Sequence, residues 1–149
     1  MSQSKLKHQQ RFIESADTSQ RLADIRMLLS TLCQLDIGLA VKKRMLVHGL
    51  WQVAMATGNF CARYRSAAVM KTVGVKIRRD HIYKKEALVA KLLAPNPNIE
   101  KIIERARCCI VTIKEHDRLH DVDESLDGWD RYRAAGIVVY DMLDGSKIT

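Results

Sequence analysis

Two histidines four residues apart, His116 and His120, are the first chemistry-bearing feature of this chain. On a helix that spacing puts both imidazoles on one face, a single turn from each other. Two imidazoles so related can bind one divalent metal ion. A second cluster, Asp80-His81, lies upstream among basic residues. A neutral imidazole accepts a proton near pH 7, so His81 is the candidate general base. Asp80 is the candidate metal ligand or orienting carboxylate. Together with His116 and His120 it makes a mixed carboxylate and imidazole set, suited to Mg2+, Mn2+ or Zn2+.

These residues need elements to carry them. Cys108 to Val111 is short, apolar and β-branched at its end, which predicts a buried strand. Thr112 and Glu115 form a Thr-x-x-Glu capping box, so a helix is expected from about Ile113. Val73 to Tyr83 alternates apolar and charged residues and predicts a half-buried strand ending in Arg79-Asp80-His81. On a strand Asp80 and His81 point to opposite faces unless the strand ends or bulges there.

Charge is concentrated. Lys42 to Lys91 holds twelve Lys and Arg against Asp80 and Glu86, whereas Asp121 to Asp144 holds seven acids against Arg131 and Arg133. Such a basic middle segment suits a polyanion, and nucleic acid is the first candidate. Within it, Arg63-Tyr64-Arg65 pairs two guanidiniums for phosphates with a ring for stacking on a base or packing inward. Arg78, Arg79, Lys84 and Lys85 extend the track.

The remaining chain reads as mostly helical. Residues 1–8 are expected to be an arm and Gln9 to Ala16 a short helix. Leu22, Ile25, Leu28, Leu29, Leu32 and Leu35 recur at helical spacing, capped by Asp17 or Thr18, and form a core face or a dimer seam. A second helix is expected over Val41 to Ala56. Lys42, Lys43 and Arg44 in its first turn oppose the helix dipole, which hints at a bound anion nearby. A third helix begins at Tyr83 or Lys84 and ends before Pro95 and Pro97; a fourth is capped by Asn98. Trp129 to Ala135 is expected to be one or two helical turns closed by Gly136, followed by a last strand, Ile137 to Tyr140, pairing with either earlier strand. Trp51 and Trp129 read as packing anchors. The predicted fold is α+β: a mostly helical single domain over residues 9–149, with a small sheet of two to three strands.

Asp80-His81-Ile82, followed by Ile110 to His120, resembles the HNH, or His-Me finger (ββα-metal), nucleases. In that family an Asp-His or His-His closes the first strand, and a helix after the second presents metal-binding His or Asn. The resemblance covers residues 73–121 and implies His81 as general base, with Asp80, His116 and His120 as metal ligands. Two helices separate the strands here, where the family has a short segment.

Three functions follow: a small metal-dependent endonuclease; a basic DNA- or RNA-binding module without chemistry; and a helical interaction protein that forms a homodimer through the Leu22–Leu35 stripe. No apolar run reaches the roughly 18 residues needed to span a bilayer. The N-terminus lacks the apolar segment of a signal peptide, so a cytoplasmic location is expected. Cys33, Cys61, Cys108 and Cys109 lack zinc-finger spacing and read as reduced thiols.

Overall fold

A computed structural model describes residues 12–57 and 62–149. The fold is α+β, mostly helical, with one small sheet. The predicted arm, residues 1–8, and Cys61 lie outside the described residues. Contacts divide the chain into two compact units, each built from separated segments.

The helical unit spans Glu14–Thr57 and Tyr83–Arg107. Helix α1 (Thr18–Gln34) and α2 (Leu39–Met55) form an antiparallel hairpin, tied where Lys42 Nζ donates to the Cys33 carbonyl (3.1 Å) and Thr18 Oγ1 to that of Ala56 (3.3 Å). Helix α4 (Lys85–Leu93) packs on α2, and α5 (Ile99–Arg105) on α1. The apolar spacing read from the sequence explains the core: Ile25, Leu29 and Leu32 meet Leu46, Leu50, Leu88, Leu92 and Ile102. Leu28 and Leu35 do not share it and stand exposed: Leu28 lies a quarter-turn from the Leu29 side of α1, and Leu35 lies just past the helix end, in extended backbone. Asn98 caps α5 through its side chain, which accepts from the Lys101 amide.

The sheet-bearing unit holds Phe12 and Ile13, residues 62–82 and Cys108–Thr149. Its strands are β1 (Tyr64–Ser66), β2 (Ile77–His81), β3 (Cys108–Thr112) and β4 (Val139–Asp141), in spatial order β2-β3-β1-β4. β3 is buried at every position; it pairs antiparallel with β2 and parallel with β1, and β4 closes the other edge antiparallel to β1. Helix α3 (Ala67–Lys71) follows β1; α6 (Ile113–His120) follows β3; α7 (Trp129–Ala134) precedes β4.

Several expectations shift. The sheet has four strands, since Arg63-Tyr64-Arg65-Ser66 contains β1. The last strand pairs with that segment and with neither expected partner. The upstream strand starts at Ile77, because Gly74 takes a positive φ (76°) and turns the chain beforehand. From Phe12 to Ser15 the chain is not helical, and the Phe12 amide donates to the Met142 carbonyl (3.0 Å). The close of α7 is as expected: Gly136 (φ 65°) sits past its end, and the Ile137 amide reaches back to the Tyr132 carbonyl (2.9 Å).

Gly49 packs closely on α1: a Cβ there would lie 2.7 Å from Leu29 Cδ2, in the core. Gly49→Val is expected to destabilise the fold by about 2 kcal/mol through overpacking, read as a lower urea midpoint at unchanged slope. An unchanged midpoint would show that α1 and α2 pack more loosely.

Candidate functional site

The strand register assembles the site. Asp80, Cys109, Tyr64 and Asp141 are successive pairing partners across the sheet, so they form one row on one face. A carboxylate closes the row at each edge.

Asp80 is buried and its two oxygens have different neighbours. Oδ2 accepts from the Tyr132 hydroxyl (2.5 Å) and faces Arg131 Nη1 (3.4 Å). The same Arg131 nitrogen donates to the carbonyls of His81 (3.0 Å) and Ile82 (3.3 Å). Oδ1 faces His116 Nε2 at 3.9 Å, and the His116 ring meets the His120 ring edge-on with centroids 4.6 Å apart. Burial pushes the Tyr132 hydroxyl well above its ordinary pKa, with Cys109 and Asp80 adding to the effect. Burial likewise raises the Cys109 thiol far above its usual value, so this cysteine is an inert packing group. Tyr132 also packs edge-on against Trp129 (5.2 Å), which does the same to Tyr64 (5.1 Å).

The capping box fixes α6 over this face. Thr112 Oγ1 accepts from the Glu115 amide (3.2 Å), and Glu115 Oε2 accepts from the Thr112 amide (2.8 Å). Glu115 also accepts from the Ser66 hydroxyl (2.6 Å), so a capping residue doubles as a buried tie to β1. Glu115 therefore looks toward β1 and His116 toward β2. One turn on, His120 continues the β2 flank and stands exposed, while Lys114 and Arg118 project from the other flank.

At the far edge, Arg63 grips Asp141 with two hydrogen bonds (2.8 and 2.6 Å). That pair holds the Asp141 carboxyl below the usual carboxylate range and raises the Arg63 guanidinium above its own.

Placement of the expected site residues is mixed. Asp80 and His116 converge, and His120 touches His116. His81 does not join them: pairing runs regularly through Asp80↔Cys109 and His81↔Cys108, with no bulge, so its side chain leaves on the opposite face. No group of three or more His, Cys, Asp or Glu side chains among the described residues comes together to hold a metal ion. The expected ligand set therefore does not fit one: Asp80 has an oxygen committed to Tyr132 and Arg131, and His120 extends outward from His116. Arg65 is 1% exposed, its Nε donating to the Ala62 carbonyl (3.0 Å), and cannot reach a phosphate. Arg63 is held by Asp141 and stacks over Tyr64 (5.4 Å). Arg78 is exposed on the edge strand, and Arg79 is half-buried. Lys84 and Lys85 belong to the helical unit, where Lys85 Nζ lies over the Trp51 ring (4.7 Å).

Sequence reasoning missed Arg131, Tyr132, Ser66 and the buried role of Glu115. Only Glu115 carried a signal, as the second half of the capping box. No family model, no curated protein and no solved structure matches this chain. Among the described residues no helix is long and apolar enough to cross a membrane.

The Arg63–Asp141 pair has a defined pH signature. A depressed carboxyl contributes stability that is present above its unfolded pKa, about 3.9, and is lost as pH falls through the folded value. Asp141→Asn is expected to destabilise the protein by about 2 kcal/mol at neutral pH, with the difference from wild type shrinking below about pH 4. Chemical denaturation at neutral and acidic pH checks it; a penalty independent of pH would remove the ion pair as the cause.

Proposed function

We propose that this protein binds nucleic acid through the open edge of its sheet, along β2 and the His116–His120 flank of α6, without metal-dependent hydrolysis. The observation that carries this reading is the placement of Arg78. It lies two residues from Asp80 on the same strand face, hence on the side where His116 and His120 emerge. Lys76 precedes it at the strand entrance, where its carbonyl accepts from the first amide of α6 (3.2 Å). Among the described residues neither Lys76 nor Arg78 forms an ion pair, and both are exposed.

The chemistry suits a phosphodiester backbone. Lys76 and Arg78 supply fixed positive charge, and Arg offers the planar fork that matches phosphate oxygens. His116 and His120 are ring donors and stacking surfaces beside them, with Asp80 facing His116. β2 has only one neighbour in the sheet, and its first half, at Arg78, is exposed, while Arg131 covers its far end. Among the described residues the His, Cys, Asp and Glu donors do not converge on a metal position.

Fluorescence anisotropy with a labelled duplex and a labelled single strand tests the reading. Wild type is expected to bind with an affinity that falls steeply with salt. Lys76→Ala with Arg78→Ala is expected to weaken binding about tenfold at low salt and to reduce the log–log salt slope by roughly two. Plasmid incubated with Mg2+, Mn2+ or Zn2+ is expected to be retained but not nicked. An unchanged affinity in the double variant would sink the edge-strand site, and metal-dependent nicking lost in His116→Ala would replace it with an enzyme.

A further inference from the structure

The helical unit holds a cavity of about 300 Å³ where α4 gives way to α5. Its walls include Lys91 from the last turn of α4, Pro95 and Pro97 from the connecting loop, and Lys101, Ile102 and Arg105 from α5. Ile102 belongs to the core, so the floor of the cavity reaches it. The loop wall is stiff. Each proline ring fixes its own φ at about −65°. Asn96 between them takes a left-handed φ of 51°, which Asn tolerates. The Asn98 side chain accepts from the Lys101 amide (3.0 Å) and ties the loop to α5.

The wall carries three cations and no acid. Lys101 and Arg105 are four residues apart, hence on one face of α5, and Lys91 lines the same volume from α4. Of the two acids of α5, Glu100 is taken by Arg26, and Glu104 does not line the cavity. Among the described residues none of the three cations forms an ion pair. Arg105 is half-buried, with its guanidinium over the Tyr83 ring (5.2 Å), and no described residue accepts a hydrogen bond from it. Drawing a guanidinium partly out of water without an acceptor is unfavourable, and gathering three like charges around one volume adds to the cost. An anion in the cavity relieves both.

We infer that this cavity binds a small phosphate monoester with an apolar or aromatic body. A monoester phosphate carries about −1.5 to −2 charge at pH 7, which three convergent cations match. A phosphodiester carries a single charge per phosphate, and a strand of them calls for cations spread along a track. The volume stands at the small end of those that hold small molecules, which suits a compact ester. Pro95, Pro97 and Ile102 offer the body an apolar surface, and Arg105 supplies the planar fork for phosphate oxygens. These residues all belong to the helical unit, so the inference stands apart from the edge-strand reading.

Phenyl phosphate titrated into the isotope-labelled full chain, followed by amide NMR, tests the inference. The amide signals of Asn96, Asn98 and Lys101 are expected to shift together and saturate, with a dissociation constant of roughly a few millimolar. Inorganic phosphate is expected to bind about tenfold more weakly, because it lacks the apolar body. Phenol is expected to move none of these signals. Affinity for phenyl phosphate is expected to rise as the ester loses its second proton, near about pH 6. Lys91→Gln with Lys101→Gln, both exposed, is expected to weaken binding about tenfold, whereas Lys43→Gln on α2 leaves it unchanged. Signals that stay still with phenyl phosphate overturn the inference, as does an affinity indifferent to Lys91→Gln with Lys101→Gln. Phenol shifts equal to those of phenyl phosphate overturn it too. A single strand that moves these signals where phenyl phosphate does not also overturns it, and assigns the cations to nucleic acid.

Discussion

A carboxyl group taken out of water must be given hydrogen-bond partners, or it destabilises its surroundings. The sheet-bearing unit depends on meeting that requirement at Asp80. Tyr132 and Arg131 supply the donors, and both stand on α7, so satisfying the carboxyl oxygen also docks that helix onto the edge strand. Arg131 reaches past Asp80 to two main-chain carbonyls and closes the end of β2 as well. Two more carboxylates on the same face repeat the device with different donors. Glu115 takes a hydroxyl and an amide and fixes α6; Asp141 takes a guanidinium and fixes the segment leading into β1. Each buried acid thus positions one element.

That arrangement decides what the surface can do. The acids that might have gathered around a metal are spent on internal donors. His116 keeps Asp80 as a neighbour, and His120 is exposed. Arg78, exposed on the same strand face as Asp80, is the group on which the proposed phosphate contact rests. The aromatic series Tyr64–Trp129–Tyr132 packs edge to face within the same unit and ties α7 to β1.

Much of the local structure was legible. The capping box at Thr112 and Glu115, the cap at Asn98, the two prolines and the glycine after α7 are short-range signals, and each ends or begins an element where the sequence placed it. Convergence of Asp80 with His116 was also readable, since a strand and a capped helix had to carry them. The failures are long-range. β1 has only three residues and is flanked by arginines, so its charge suggested a phosphate clamp. Its true setting, between two strands with Arg65 inside, depends on pairings to residues far along the chain. Arg131 and Tyr132 sit in an acidic stretch where an arginine reads as solvated, and nothing local announces that they serve Asp80. His81 can join Asp80 only if the strand ends or bulges between them, and the regular register supplies neither. The leucine stripe of α1 was one feature in sequence and is two in space, because the core takes Leu29 and Leu32 while Leu28 and Leu35 face away.

The most direct test of the account is a double-mutant cycle between Asp80→Ala and Tyr132→Phe, read by urea unfolding. If the two groups hold each other in the buried site, each single change strands its partner, and the double variant is less destabilised than the sum by roughly 1–3 kcal/mol. Additivity to within about 0.5 kcal/mol would mean that the two do not depend on each other, and the organising role given to Asp80 would be wrong.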